Sequence, residues 1–152
     1  MVSPLLRAME TANLTFPVSS NLIEVEDDLI ECDFGSLDGR SIKATMLEHG
    51  ITRKEQLAEI LPADGETWPA LLTRCKALLD RLATLQEFGS AIVLVGHDAV
   101  LQGISEILTG GWFDSKHGEP YYFRTCPVGW EVVGLEKFDM HDYSAEKPSQ
   151  KS

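Results

Sequence analysis

Apolar residues recur at three- and four-residue spacing from Trp68 through Leu71, Leu72, Cys75, Leu78, Leu79 and Leu82 to Leu85. That spacing lays one broad apolar stripe along about five turns and predicts a long amphipathic helix, stopped by Gly89. The pattern then changes. Ala91 to Val95 is a continuous, largely β-branched apolar run, which predicts a strand buried on both faces, as in parallel sheets. Gly96-His97-Asp98 reads as a tight loop. Ala99 to Leu108 returns to helical spacing, with Val100, Ile104, Ile107 and Leu108 apolar and Gly110-Gly111 closing the helix.

The N-terminal half is more polar. Ser3 is placed to accept from the first free N–H groups of a helix, Pro4 suits its first position, and Leu5, Met9 and Ala12 share one face. Leu22 to Val25 predicts a short strand within an acidic stretch, 21–34, that holds no basic residue. Gly35, Asp38 and Gly39 mark a turn-rich loop. Arg40 to His49 predicts a short helix closed by Gly50. Thr52 to Glu55 matches a capping box that opens a helix ending near Leu61-Pro62. Trp130 to Leu135 predicts a last strand. Strand–loop–helix order around long helices makes this an α/β domain with a mainly parallel sheet. It covers residues 1–143, and the polar stretch 144–152 reads as a disordered tail.

Composition narrows the class. The 152 residues are 43% hydrophobic and 24% charged, which fits one soluble domain rather than a disordered chain. No apolar run approaches the roughly 20 residues of a membrane helix, and no signal-like N-terminus is present, so a cytoplasmic address and no membrane partner are expected. With 24 acidic against 13 basic side chains the net charge is −11, which argues against nucleic acid as a partner. Cys32, Cys75 and Cys126 form neither a disulfide framework nor a zinc set. No metal and no cofactor are implied.

Three residues carry candidate chemistry. His97 follows an apolar strand pattern and precedes a helix, at the end of a sheet where ligands of α/β proteins sit. The helix N-terminus there favours an anion, and an imidazole can bond a phosphoryl oxygen or act as a base. Arg7 offers a planar fork suited to phosphate or carboxylate; alone, a solvated surface arginine is the better reading. Glu31 lies between Leu29-Ile30 and the Asp33-Phe34-Gly35 turn, where an apolar setting can raise a carboxyl pKa for general-acid work; alone, one more acid in an acidic loop is the better reading.

Taken together they say more. Ser3-Pro4-Leu5-Leu6-Arg7-Ala8-Met9-Glu10-Thr11-Ala12 resembles the S-P-L-x-R-A-x-x-T-A segment of the histidine phosphatase superfamily, the phosphoglycerate mutase-like enzymes. Leu29 to Gly39 is similar to that family's L-x-E-x-x-F-G-x-x-x-G segment, and Ile92 to His97 to its late strand ending in G-H or S-H. The three stand in family order. The resemblance implies a three-layer phosphoglycerate mutase-like fold and a phosphoryl-transfer site. In such enzymes one histidine becomes a phosphohistidine, arginines and a second histidine neutralise the phosphoryl oxygens, and a carboxylic acid protonates the leaving oxygen. By motif match Arg7 would be a phosphate clamp, His97 the second histidine and Glu31 the proton donor.

The chain departs from the pattern in one central respect. It contains no Arg-His-Gly, the family's nucleophile motif at the end of its first strand. His49 in Leu47-Glu48-His49-Gly50 follows a helical pattern and comes in the wrong order; His117 and His141 have no supporting pattern. The expectation is therefore a domain lacking its N-terminal strand. Its origin would be an incomplete gene prediction or cloned fragment, a natural shortened product, or a segment supplied by a second chain, and the first is favoured. Asp98 stands where relatives often carry glycine, so its carboxylate either points away from the phosphate or alters specificity. The expected function is phosphomonoester hydrolysis of a small phosphorylated metabolite or a phosphoprotein, phosphatase rather than mutase, inactive without the nucleophile. The alternative is a non-catalytic phospholigand-binding or protein-interaction module. A homodimer is left open.

Overall fold

The computed structural model describes residues 1–17, 23–85, 92–126 and 128–134. Leu22, Gly89, Ala91, Leu135, His141 and the tail 144–152 lie outside the described residues. Among the described residues there are four α-helices, α1 (Leu6–Thr15), α2 (Ile42–Glu48), α3 (Trp68–Leu85) and α4 (Asp98–Thr109), followed by β1 (Tyr121–Cys126) and β2 (Gly129–Gly134). Three 3-10 turns, Asp27–Leu29, Gly35–Leu37 and Lys54–Ile60, link them.

α3 and α4 match their patterns closely. The α3 stripe buries Trp68, Leu71, Cys75, Leu78 and Leu82, and these pack with Val100 and Ile104 of α4 and with Leu29 and Cys32. Burying each such aliphatic side chain contributes about 1.5–3 kcal/mol. The two helices approach closely because α4 carries Gly103, where a Cβ would lie 3.2 Å from the Cys75 sulfur. α4 ends at Gly110, whose φ of 82° supplies the left-handed cap that other residues rarely adopt. At its far side both indoles of Trp68 and Trp112 donate to Glu106 Oε2, at 3.0 and 2.8 Å, with their rings 4.6 Å apart.

Other boundaries moved. α1 begins at Leu6 with Leu5 as its cap, not at Pro4. The Ser3 hydroxyl accepts from the Leu5 N–H instead, at 3.3 Å, in the short turn before the helix. The segment after Thr52 is a 3-10 helix, and Gln56 rather than Glu55 reaches back, its carbonyl accepting from the Thr52 and Arg53 N–H groups at 3.1 and 3.0 Å. α2 is capped by the Ser41 hydroxyl.

The family's α/β character is met only in part by the strands. The expected mainly parallel sheet is not seen among the described residues. β1 and β2 form an antiparallel hairpin in register Tyr121↔Gly134 to Cys126↔Gly129. Parallel pairing is confined to two isolated bridges, Val2 with Val25 and Val2 with Val95. The run 92–95 is correspondingly not buried on both faces: Val93 is 51% exposed. Among the described residues its ladder bonds go to one neighbour, with Val95 N–H donating to the Met1 carbonyl at 3.0 Å and Ser3 N–H to the Val95 carbonyl at 2.9 Å. On the other edge of Val2, its N–H donates to the Glu24 carbonyl at 2.8 Å and its carbonyl accepts from Glu26 N–H at 2.9 Å.

Candidate active site

Residues 1–3, 23–26 and 93–95 run side by side in the same direction, so the segments that follow them leave from one end. There Ser3 leads into α1, Glu26 leads through the Asp27–Leu29 turn to Glu31, and Val95 leads to His97, the N-cap of α4. This end is where α/β proteins bind ligands, because side chains and helix N-termini converge outside the strands.

Packing holds the second segment in place. Leu29 is fully buried, and its side chain lies against Gly96, 3.6 Å from where a Cβ there would stand. Behind it Arg74 of α3 donates to the Asp28 carbonyl at 2.6 Å and forks onto Glu66 at 2.7 and 2.8 Å. Glu31 thereby reaches the first turn of α4. Its Oε1 accepts from the Ala99 N–H at 3.3 Å and from the Cys32 N–H at 3.0 Å. Burial pushes its carboxyl above the usual range, against those two bonds and the attraction of Arg7.

His97 is partly buried, and its Nε2 lies 2.8 Å from the Ser3 hydroxyl. Burial, then the positive charges of Arg7 and Arg74, lower its pKa to about 4. The imidazole is neutral at pH 7. Arg7 stands in the first turn of α1, exposed, and its guanidinium makes no hydrogen bond or ion pair among the described residues. Its charge acts on both His97 and Glu31. Glu31 and His97 are therefore brought together at the N-terminus of α4, and the charge of Arg7 acts on both.

Asp98 is bonded elsewhere, although its charge also acts on Glu31 and adds to the rise of that carboxyl. Its carboxylate bonds Lys54 at 2.6 Å, Gln102 at 3.2 Å and the Ser115 hydroxyl. Burial raises its pKa, but these bonds outweigh it and hold the carboxyl below the usual range. Gln102, fully buried, also exchanges bonds with the Phe113 backbone at 3.0 and 3.1 Å. Asp98 thus anchors the 113–115 loop. His49 follows α2 and His117 lies in an exposed turn. The buried thiols Cys32 and Cys75 are pushed up to about 12 and about 11, chiefly by desolvation, and are inert as nucleophiles.

Ser3 and Arg74 belong to this neighbourhood and were not singled out by pattern. Ser3 looked like a helix cap, and Arg74 sits on the polar side of the α3 stripe. Among the described residues no helix is long and apolar enough to cross a membrane.

The family model of the histidine phosphatase superfamily (branch 1) matches residues 1–130, and the chain belongs to that superfamily. A search of curated proteins finds no match.

Proposed function

We propose that this chain binds a phosphoryl group at the N-terminus of α4 and carries the phosphate-holding and proton-donating half of a phosphomonoester-hydrolysing site. The supporting observation is the Arg7 guanidinium, which makes no hydrogen bond or ion pair among the described residues and whose charge acts on a neutral His97 and on a Glu31 carboxyl of raised pKa. Arg7 neutralises the phosphoryl oxygens and His97 bonds one of them; were a nucleophilic imidazole supplied to attack phosphorus, Glu31 would give its proton to the leaving oxygen as that P–O bond breaks. The sequence contains no Arg-His-Gly, and a phosphohistidine route needs a nucleophilic imidazole from such a segment. The 152-residue polypeptide by itself therefore binds phosphate without turning over.

Inorganic phosphate at millimolar concentration is expected to raise the melting temperature by several degrees, through binding to the folded state alone. Arg7→Ala and His97→Ala each remove a charge-assisted or charged-ligand hydrogen bond, about 1.5–3 kcal/mol, and should weaken binding roughly ten- to a hundredfold. Aryl phosphate hydrolysis should stay at background. No thermal shift with phosphate would overturn the site. Hydrolysis lost on His97→Ala, with a phosphohistidine adduct, would overturn the claim of no turnover.

A further inference from the structure

The Ser3–His97 contact decides which nitrogen of the imidazole carries the proton. Ser3 is completely buried, so water does not reach its hydroxyl. Its oxygen already accepts from the Leu5 N–H at 3.3 Å. The hydroxyl proton then needs an acceptor, and among the described residues the one within reach is His97 Nε2 at 2.8 Å. Were Nε2 protonated instead, the serine oxygen would take two donors and its own proton would be left buried without a partner. A buried unsatisfied donor is far more costly than the small intrinsic preference between imidazole tautomers.

We infer that Ser3 is a positioning residue that donates to His97 Nε2 and locks the neutral ring as its Nδ1–H tautomer, so that His97 offers a ligand a donor and not a base. Among the described residues Nδ1 makes no hydrogen bond. That is the face left for an incoming oxygen. Ser3 is tied to this task by backbone: its N–H donates to the Val95 carbonyl, two residues before His97, which fixes the serine against the segment that carries the histidine. The ring is uncharged at pH 7, so the proton on Nδ1 is the single N–H it carries. The assignment concerns the ligand-free protein; only the identity of the oxygen that Nδ1–H meets rests on the phosphate site proposed above.

Two-bond proton–nitrogen correlation spectra of 15N-histidine-labelled protein at pH 7 read the tautomer directly. The chain has four histidines, and the signals of His97 are identified by their loss in His97→Gln. The expected spectrum has a pyrrole-type Nδ1 and a pyridine-type Nε2. Ser3→Ala should shift the ring towards the Nε2–H form that free histidine prefers, and Ser3→Thr, which keeps the hydroxyl, should restore Nδ1–H. A wild-type ring that is mainly Nε2–H overturns the inference, as does an unchanged tautomer in Ser3→Ala. If Ser3→Ala fails to fold, the wild-type spectrum alone decides. An Nδ1–H ring whose signals do not move on adding inorganic phosphate would support the tautomer and count against the phosphate site.

Discussion

Replacing Arg74 by methionine removes the ion that fastens the Glu31 segment to α3. Three of its donors are in use, two on Glu66 and one on the Asp28 carbonyl, and the arginine and glutamate side chains are only 16% and 19% exposed. Methionine fills the space of the stem but leaves the Glu66 carboxylate without its partner. Breaking a fully buried pair this way costs about 3–5 kcal/mol. Some solvent reaches this one, which lowers the expectation to about 2–4 kcal/mol. At about 2–4 °C per kcal/mol for a chain of this length, the melting temperature should fall by roughly 5–15 °C. Thermal unfolding followed by circular dichroism at pH 7 measures it. The double variant Arg74→Met with Glu66→Met should recover much of the loss, because no charge is then stranded. The imidazole gives a second readout: Arg74 helps hold the His97 pKa down, so it should rise in the single variant. A fall of less than about 2 °C, or a double variant no better than the single, would refute the reasoning. Arg81, which pairs with Glu26 and Asp28 but is itself 48% exposed, is the comparison, and Arg81→Met should lower the melting temperature by less than Arg74→Met.

Acidification should destabilise the protein through His97: the unfolded imidazole takes a proton near pH 6.5 and the folded one only near pH 4. Between these values the unfolded state binds more protons, so stability is full above pH 6.5 and falls as pH drops through the window. Melting temperatures of wild type and His97→Gln across that range test it, since the variant should lose this slope, while the raised Glu31 pKa works in the opposite sense. Gly65→Ala should cost about 1–3 kcal/mol or more, because its Cβ would stand 2.4 Å from the Asp33 carbonyl and 2.8 Å from the Gly35 nitrogen, both backbone atoms. Gly111→Ala, with nothing within 4 Å, should be tolerated, and equal denaturant midpoints for the two variants would contradict the close approach.

α3 and α4 were readable because their information is local: a periodic stripe from Trp68 to Leu85 and a glycine stop at Gly110 need no knowledge of the rest of the chain. The same holds for the helix before Gly50. The 3-10 form of Lys54–Ile60 and the displaced start of α1 were not, because they turn on whether Gln56 or Glu55 folds back and where the Ser3 hydroxyl points. Of the strand reading of 91–95, the described residues show a parallel bridge at Val95, but burial on both faces is not met, since Val93 is exposed. An apolar run states that a segment resists water, but not how many neighbours it has, and here ladder bonds run to residues 1–3 alone among the described residues.

The ordered motifs around Arg7, Glu31 and His97 were enough to name the superfamily and to nominate its site residues, because chemistry-bearing side chains at characteristic spacings are written in the chain itself. What surrounds them was not. That Ser3 meets His97 across 94 residues, that Arg74 underpins the Glu31 segment from α3, and that Asp98 pairs with Lys54 and Ser115 all depend on contacts between distant segments. Those contacts set the burial and the neighbouring charges, and through them which proton sits where. A linear pattern carries residue identity and local geometry, whereas protonation and hydrogen-bond direction arise only once the fold has removed water and chosen the partners.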